Sequence, residues 1–496
     1  MIGKQDRWHQ DLFCVGPLDQ LIPEDHILRR IREQVDLSWV VDEVRDSYCE
    51  HDGRPSVDPE SALCLLLAGY FYRIIKHREL MRFANENIAI RWFVGYRLDQ
   101  KLPVHSALGK ILDRWGEERI KRIFIRVVKA CIDAGLVDGK TVHIDATLIR
   151  ADVSWESMVE EHVERVMKEN APEETTAATA ATDPDQDSPR PRRKPGRPRT
   201  RPEKIKKRST TDPDATLATS SHNRKLEPCF KAHVAVDDQA GVITDVAVTT
   251  GEASEGEQLL EQIARVESTT GQKVERVTCD AGYAHSKNYA ELEQRGTKAI
   301  IPPQPENRHV QKLPLRRFKY DARHHIVWCP RGKRLHRSYE TRDQKGWVYR
   351  ARACDCRDCP LRERCLSAKS DSRTVMIVND YEALLRARRR KAQGWDEETK
   401  ELYNRHRWRS EGKNAEAKER HGMRRATRRG REKVGIQAYL TAIVMNIKVL
   451  VGPFVVQWNQ TVGWTIWLNH SVIRTRYQVS TSVNRAERSH PTRMAA

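Results

Sequence analysis

Two stretches determine the predicted fold of this chain: Thr141-Val142-His143-Ile144-Asp145 and Val274-Glu275-Arg276-Val277-Thr278-Cys279-Asp280. Each is rich in β-branched residues and ends on an acid, and such a run predicts a strand that delivers a carboxylate to the edge of a sheet. A third acid, Glu411, lies far downstream on a segment rich in Arg and Lys. Two Asp residues on strands and a helical Glu can together hold divalent metal ions. The pattern therefore indicates a metal-dependent phosphoryl-transfer site.

The residues around these acids predict a mixed α/β core. Helical apolar spacing predicts helices at Glu257–Val266 and Asn288–Gln294, so the order is three strands, helix, strand, helix, strand. That order predicts a ribonuclease-H-like core, in which Asp145 on the first strand and Asp280 at the end of the fourth are adjacent. The five predicted strands are Thr141–Ile149, Phe230–Val236, Val242–Val248, Val274–Cys279 and Ala299–Pro302.

The charge balance favours a polyanionic partner. Lys and Arg number 88 against 69 Asp and Glu, a formal net charge of +19. Phosphate neutralisation releases counterions, so nucleic acid is the expected partner. The first residues lack the apolar region of a signal peptide, and no uninterrupted apolar run approaches the ~20 residues of a membrane span. We therefore expect a cytoplasmic protein without membrane contact, whose 11 Cys residues serve as thiols or metal ligands rather than disulfides.

Composition divides the 496 residues into five parts. Residues 1–138 predict an N-terminal all-α DNA-binding domain. Its segment His105–Trp115, after Pro103, is either the second helix of a helix-turn-helix or a packing helix with a solvated basic face. The catalytic core is predicted to comprise residues 139–166, 223–310 and 395–451, with a Cys-rich insertion at 311–394 and a C-terminal tail at 452–496. Residues 167–222 are nearly free of large apolar side chains and predict a disordered basic linker.

Within this linker, Lys194-Pro195-Gly196-Arg197-Pro198-Arg199 is similar to an AT-hook. The extended Gly-Arg-Pro core of such a hook inserts an Arg into a narrow A·T minor groove, which makes Arg197 and Arg199 candidate DNA contacts. Pro195 stands where a hook usually has Arg or Lys. The alternative is a basic tether that only adds solubility, because runs of charge are commonly solvated.

Cysteines concentrate in a short segment after the fifth predicted strand. Cys356 and Cys359 have the spacing that lets two thiolates bind one tetrahedral zinc, and Cys329 and Cys365 would complete a four-sulfur set. Cys354 would be spare. A reduced cluster without metal is the alternative. Either arrangement would be structural, because a closed four-thiolate site leaves no open position for catalysis.

The segment around Glu411 predicts a basic helix. Arg407, Glu411 and Lys418 recur at helical offsets that place them on one face. Glu416 and Glu419 are expected to form ordinary surface ion pairs. The expected phosphate track comprises Arg386–Lys391, Arg424, Arg425, Arg428, Arg429 and Arg431.

A set of motifs, each weak alone, follows a fixed order along residues 15 to 450. In chain order they are Gly53–Pro59, Arg91–Gly95, Gly135–Gly139 with Asp145, Ser209–Ala215, Asp280–Tyr283, the Cys-rich segment, and the Glu411 helix continuing through Arg429-Gly430 to Asn446–Lys448. This order and spacing resemble those of bacterial insertion-sequence transposases of the DDE type, in the group conventionally numbered eleven-eighty-two.

The resemblance implies that Asp145, Asp280 and Glu411 are the catalytic metal ligands of an enzyme. Two Mg²⁺ or Mn²⁺ ions would activate water or a 3′-hydroxyl and stabilise the leaving oxygen during in-line attack on a phosphodiester. The implied enzyme binds the terminal inverted repeats of an insertion sequence, cleaves the DNA ends and transfers the 3′ ends to target DNA.

The family also has a Tyr, Arg, Glu, Lys signature around the Glu. Arg407 and Lys418 match it. Lys418 would contact a phosphate at the transposon end, and Arg407 would do the same or support the Glu. The Tyr position instead holds Asn404, with Tyr403 one residue early.

The implied partners are the element ends and the target, both double-stranded DNA. Because two ends must be synapsed, we expect a homodimer, located in the bacterial cytoplasm and associated with the nucleoid. Two alternatives stay open. A metal-dependent host DNA nuclease on the same core would cleave without strand transfer, and a non-catalytic DNA-binding regulator derived from a transposase would bind without cleavage.

Overall fold

Helices form the N-terminal part of the protein. The computed structural model describes residues 17–49, 56–160, 207–219, 226–305, 313–341, 344–368 and 370–452, with the dipeptides 455–456 and 465–466. The first helices are α1 (Ile27–Gln34), α2 (Val40–Val44), α3 (Pro59–Phe71), α4 (His77–Glu86), α5 (Ile88–Phe93) and α6 (His105–Asp133). The AT-hook-like residues Arg197 and Arg199 lie outside the described residues, so the expected hook stays a prediction.

Local sequence signals explain where two of these helices begin and break. Asp58 accepts a hydrogen bond from the Ser61 amide at 2.7 Å, so α3 begins with a capped N-terminus. Helix α6 is interrupted at Gly116, whose φ of 69° lies in the left-handed region that favours glycine. Before this break, Leu108 and Trp115 are fully buried. That face of the segment His105–Trp115 therefore packs into the protein core.

A mixed sheet follows the helices. Its strands are β1 (Thr141–Arg150), β2 (Met158–Glu160), β3 (Lys207–Ser209), β4 (Thr216–Thr219), β5 (Leu226–Asp237), β6 (Ile243–Thr250), β7 (Arg276–Thr278) and β8 (Lys298–Ile300). β5 pairs antiparallel with both β1 and β6, whereas β7 runs parallel to both β1 and β8. Helix α7 (Glu255–Thr270) connects β6 to β7, and α8 (Ser286–Arg295) connects β7 to β8. The expected order of strands and helices is confirmed.

Three short strands of this sheet, β2, β3 and β4, were not expected. Residues 207–219, which composition assigns to a disordered linker, contain β3 and β4, and β4 extends the sheet along β5. Ala215 and Asp212 are buried here, and Asp212 accepts a hydrogen bond from the Gly430 amide at 3.2 Å. The linker prediction is wrong for this part because strand pairing, rather than apolar content, orders it.

A small antiparallel sheet occupies the Cys-rich segment. It contains β9 (Lys319–Asp321), β10 (Ile326–Trp328), β11 (Arg334–Glu340), β12 (Gly346–Ala351) and β13 (Thr374–Val378), hydrogen-bonded in that order. Two short helices, α9 (Ala353–Arg357) and α10 (Arg362–Cys365), lie between β12 and β13. The sheet has its own core, which includes Val327, Leu335 and Tyr349.

The last helices return the chain to the main sheet. They are α11 (Tyr381–Gln393), α12 (Glu397–His406), a π-helical turn (Arg407–Glu411), α13 (Gly412–Arg420) and α14 (Arg431–Leu450). The side chain of Asn446 on α14 bonds both the N–H and the C=O of Ile243 at 2.8 Å. These two hydrogen bonds hold α14 against β6 of the sheet.

Helix α14 is the centre of the larger core. It packs between β6 and α6, so the N-terminal helices, one sheet face and α14 share one apolar cluster. Among the described residues it is the one helix long and apolar enough to cross a membrane, although 78% of its most apolar stretch is buried inside the protein. Gln437, Asn446 and Lys448 interrupt its apolar sequence. The opposite sheet face packs on α7 and α8 in a second cluster.

Candidate active site

Asp145 lies on β1, where helix α13 crosses the sheet. Its Oδ1 accepts a hydrogen bond from the Ala146 N–H at 2.8 Å, and its Oδ2 accepts one from the Asn414 side-chain amide at 2.9 Å. Burial raises the pKa of Asp145 to about 7, and the charges of Asp280 and Glu255 act in the same direction. A carboxyl group in this environment is costly to ionise unless a cation compensates it.

Asp280 follows β7 at the same end of the sheet. Because β7 and β1 are parallel, with His143 opposite Thr278, both strands carry their acids, Asp145 and Asp280, toward the same end of the sheet. The carboxylate of Asp280 accepts a hydrogen bond from the Gly282 N–H at 2.7 Å and remains exposed. The geometry thus brings Asp145 and Asp280 into one acidic site.

Glu411 is less closely integrated. Its side chain is 64% exposed and forms an ion pair with Arg407, with Nε and Oε2 3.2 Å apart. Asp280, Cys279 and Glu411 all add to the effect of burial in raising the pKa of Tyr403, so Glu411 lies on the Asp280 side of the site. In the described part of the chain, no group of three or more His, Cys, Asp or Glu side chains is arranged to hold a metal ion. The structure therefore does not assemble the expected three-acid ligand set.

The helix that carries Glu411 nevertheless faces Asp145. Asn414 and Lys418 stand three and seven residues after Glu411, which is helical spacing for a common face. Asn414 bonds Asp145 directly. Burial lowers the pKa of Lys418, while the Asp145 carboxylate opposes that shift, so an ammonium group lies beside the acid. Asn414 was not among the expected site residues, because an Asn in a basic helix has no distinctive sequence signal.

A fourth carboxylate, from Glu255, also lies at this site and was missed by sequence reasoning. Glu255 is in the first turn of α7, beside Gly282 of the loop after Asp280. A Cβ atom on Gly282 would lie 2.6 Å from Glu255 Oε2 and 2.9 Å from Asp280 Oδ1. The sequence did hold a signal, because Ser254 followed three residues later by Glu257 is a capping-box pattern that starts a helix at residue 255.

Buried polar groups connect the sheet to the turn that carries Glu411. His143 Nδ1 lies 2.6 Å from Thr278 Oγ1, which lies 3.0 Å from His406 Nδ1. Ser410, adjacent to Glu411, is 3.2 Å from the same His406 nitrogen. Burial lowers the pKa of His406 to about 3, so this ring is neutral near pH 7. The His143 ring is thus part of a structural network, and it also bonds Asp238 at 2.9 Å.

Glu416 is buried, in contrast to the expected surface ion pair. Lys448 donates a hydrogen bond to it, Lys413 Nζ lies 3.9 Å away and His421 Nε2 lies 3.5 Å away. Burial alone would raise the pKa of Glu416, but the bond from His421 and the two Lys charges hold it well below its usual range. The prediction was wrong because α13 turns this side chain toward α14. Glu416 is a structural anchor.

The expected phosphate track is only partly available. Arg424 and Arg425 are exposed, and Arg425 pairs with Asp152 at 2.9 Å. Arg428 pairs with Asp113, and only 18% of its side chain is exposed. Arg428 therefore joins the C-terminal segment to α6, and the expectation of an open DNA contact is not met there. In the earlier stretch of the track, Arg386 and Arg390 both pair with Glu293.

Four cysteines lie close together beside the small sheet. The thiols of Cys356, Cys359 and Cys329 add to the effect of burial in raising the pKa of Cys365, while Cys354 is exposed. Cys329, Cys356 and Cys365 pack against the apolar core of this sheet. No metal-binding arrangement occurs here within the described residues, so the zinc expectation is not supported. The half-buried thiols serve instead as small apolar side chains.

Two segments of the chain match transposase family models. The family model described as "Transposase domain (DUF772)" matches residues 16–114, and the model described as "Transposase DDE domain" matches residues 328–451. The second match includes Glu411, Asn414 and Lys418. These matches support a DDE transposase, a class that cleaves DNA and typically uses divalent metal.

Two further comparisons add little to this assignment. No curated protein matches the chain. A solved piggyBac transposase synaptic complex with hairpin DNA is similar at 11% identity over 95% of this chain and 83% of that chain, with a TM-score of 0.31. So low a TM-score carries no argument about the fold. The support for a transposase therefore comes from the two partial domain matches, to residues 16–114 and 328–451.

Proposed function

We propose that this protein is an insertion-sequence transposase with a ribonuclease-H-like core, of the bacterial group numbered eleven-eighty-two. It would bind the terminal inverted repeats, cleave the DNA ends and transfer the 3′ ends to target DNA as a homodimer in the nucleoid. The observation that carries the proposal is the placement of Asp145 and Asp280 on neighbouring parallel strands, with α13 bonded to Asp145 through Asn414.

The sheet order supports the proposed core. The antiparallel pairs β6–β5 and β5–β1 are followed by the parallel pairs β1–β7 and β7–β8. The connection from β7 to β8 is the helix α8, as a βαβ unit requires, and α7 leads from β6 into β7. Acids on β1 and after β7 therefore meet at one sheet edge, where a phosphodiester could approach from solvent.

The donor set at this edge suits Mg²⁺ or Mn²⁺. Asp145 and Asp280 offer oxygen ligands, which hard cations prefer. Burial, together with the charges of Asp280 and Glu255, raises the pKa of Asp145, and a divalent cation would compensate the charge of its ionised form. When bound, the metal would supply a polarised oxygen nucleophile and stabilise the leaving oxygen. The exposed side chain of Glu411 would break its ion pair with Arg407 and turn toward the metal site.

The chain's own residues would orient the DNA strand. Asn414 holds the Asp145 carboxylate in one orientation by its 2.9 Å hydrogen bond. Lys418, beside Asp145, would bind a nonbridging phosphate oxygen, since an ammonium group near the reacting phosphate offsets charge that develops during displacement. Exposed Arg424 and Arg425 would bind the flanking backbone.

The test is cleavage of labelled DNA carrying the inverted repeats that flank the gene. Asp145→Asn, Asp280→Asn and Glu411→Gln should each reduce cleavage by roughly 100-fold or more while DNA binding is retained. Glu419→Gln, a change at an exposed acid on the same basic helix, is the matched control and should cleave normally.

A pre-cut end separates the candidate functions. Joining of its 3′-hydroxyl to a plasmid indicates a transposase, whereas cleavage without joining indicates a nuclease. Binding without either reaction indicates a regulator. Normal cleavage by Asp145→Asn would contradict the proposed site.

A further inference from the structure

We propose that the outer face of the small sheet binds DNA through the phosphate backbone. This face comprises the side chains of β9–β13 that point away from the core of that sheet, and its basic residues include Lys319, Arg334 and Arg350. The inference rests on the proposed function, because the DNA bound here would be the DNA on which the enzyme acts. These residues belong neither to the acidic site nor to the expected phosphate track.

The two sides of the small sheet differ in what covers them. One side packs with Tyr381 of α11, and its buried side chains are Val327, Leu335, Tyr349, Val375 and Ile377. Successive side chains of a strand point to opposite sides of a sheet. Trp328, Arg334 and Arg350 each lie next to one of these buried residues along the chain, so they point to the outer face, and all three are exposed.

A row of three side chains crosses the outer face. Trp328 on β10 pairs with Lys319 on β9 and with Arg334 on β11, so an aromatic ring stands between two cations. The ring is 39% exposed, and both cations are exposed. Basic side chains neutralise phosphates, and an exposed aromatic ring between them can pack against the sugar or base of the same strand. The row therefore has the composition of a DNA contact.

The next row adds positive charge. His336 on β11 pairs with Arg350 on β12, and Arg350 Nε donates a hydrogen bond to Ser372 Oγ at 3.0 Å. The acid of this row is Asp321 at the β9 edge, and its Oδ2 already lies 2.7 Å from His324 Nδ1. Arg350 is thus held in place on the outer face, and the acid is engaged at its margin.

The charge of the whole segment complements a polyanion. Residues 313–378 contain 17 Lys and Arg against seven Asp and Glu, and this excess of ten is over half of the net charge of +19 of the chain. Such a local excess attracts phosphate backbones and repels a second copy of the same surface. The small sheet therefore favours DNA over self-association.

The outer face also has an apolar row, which is too small to define a protein interface. Val348 on β12 pairs with Tyr339 on β11 and with Met376 on β13. Tyr339 is 60% exposed. Three side chains cannot supply the roughly 800 Å² per partner that a stable protein interface buries. Beside the basic rows, these side chains would instead pack against the sugars of a bound strand.

The test is anisotropy of a labelled DNA duplex without inverted repeats, titrated with the full chain at several salt concentrations. Lys319→Ala combined with Arg334→Ala should weaken binding by about tenfold or more and reduce the slope of log K against log salt by about 2. Arg357→Ala combined with Arg364→Ala is the matched control. It removes the same charge from α9 and α10, whose cysteines pack on the core side of the sheet.

The control should keep nearly the affinity and the salt slope of the unaltered protein. Normal affinity and slope in the Lys319 and Arg334 double variant would overturn the inference. An equal loss in both double variants would also overturn it, because net charge rather than the outer face would then account for binding.

Trp328 tests the placement of the strand. Trp328→Ala should weaken DNA binding by about fivefold or more while the salt slope stays normal, because stacking and not phosphate neutralisation is lost. Trp328→Phe should restore most of the affinity, which a general loss of folding would not allow. Thermal melting of each variant checks folding. Normal affinity in a folded Trp328→Ala variant would overturn the placement of DNA across this row.

A protein partner is the competing occupant. Tyr339→Ser combined with Met376→Ser would change the oligomeric state, measured by light scattering, if the outer face joined two copies of the chain. That result, with normal DNA binding by the Lys319 and Arg334 double variant, would overturn the inference.

The two proposals fail in different ways. If the protein never cleaves repeat DNA but its salt slope depends on Lys319 and Arg334, the transposase function fails and the DNA-binding face stands. If cleavage depends on Asp145 while the Lys319 and Arg334 double variant binds DNA normally, the function stands and the outer face is not a DNA contact.

Discussion

Replacing Asp145 by Asn should stabilise the metal-free protein at alkaline pH. The pKa of Asp145 is about 7 in the folded protein against a usual value of 3.8, and burial is the main cause. A carboxyl group whose pKa rises on folding disfavours the folded state once it ionises. The destabilisation is absent below pH 4, grows as the pH rises from about 4 to 7, and is complete above pH 7.

The size of this effect follows from the shift. One pKa unit corresponds to about 1.4 kcal/mol, so the full shift corresponds to an upper bound of roughly 4 kcal/mol. Because the side chain is partly accessible to solvent, we expect Asp145→Asn to increase the free energy of unfolding by about 1 to 3 kcal/mol at pH 8. The gain should disappear at pH 4.

The assay is urea denaturation with EDTA at both pH values, and Asp238→Asn provides a control of opposite sign. Burial alone would raise the pKa of Asp238, but the hydrogen bond from His143 and the charge of Arg405 hold this pKa below its usual value. Its stabilisation is present above pH 4 and lost as the pH falls, so Asp238→Asn should be less stable at pH 8. The reasoning would be refuted if the difference in free energy of unfolding between Asp145→Asn and the unaltered protein did not change with pH, or if Asp145→Asn were less stable at pH 8.

Three further predictions follow from the packing around the site. Gly282→Ala should reduce cleavage by roughly tenfold or more with little change in melting temperature, because the new Cβ displaces the flexible ends of the Glu255 and Asp280 side chains rather than backbone. Normal cleavage would show that the spacing of these two carboxylates is unimportant. Glu416→Gln should lower the free energy of unfolding by about 3 kcal/mol in urea denaturation, since it leaves Lys413 and Lys448 without their buried counter-ion. A loss below about 1 kcal/mol would show that Glu416 does not anchor α13 to α14. Arg425→Ala should weaken DNA binding irrespective of sequence and reduce the slope of log K against log salt by about 1, whereas an unchanged slope would remove Arg425 from the phosphate contacts.

The fold of the main sheet could be read from the sequence because its strands are long apolar runs. β1 and β6 are dominated by β-branched residues and alanine, and the second half of β5 contains two Val and two Ala, so their existence and order follow from local composition. The short strands β3 and β4 could not be predicted, since β3 is ordered by pairing with β2 and β4, and β4 by pairing with β5. The small sheet was likewise hidden in a segment noticed only for its cysteines.

The site was partly predictable for the same reason. Asp145 follows an apolar run within β1 and Asp280 follows β7, so each has a local signal. The capping-box pattern at Ser254 marks only the start of the helix that carries Glu255, and Asn414 has no distinctive signal, so only the folded chain shows that both lie near Asp145. Glu416 shows the converse, because a charged residue in a basic helix suggests a solvated surface, yet tertiary packing buries it.

The central claim is that Asp145 and Asp280 form one metal-dependent strand-cleavage site. The most direct measurement is Mg²⁺-dependent cleavage of labelled inverted-repeat DNA by Asp280→Asn, compared with the unaltered protein at equal DNA occupancy. The account predicts DNA binding within about twofold of normal and cleavage reduced by roughly 100-fold or more. Cleavage at the normal rate by this variant would contradict it.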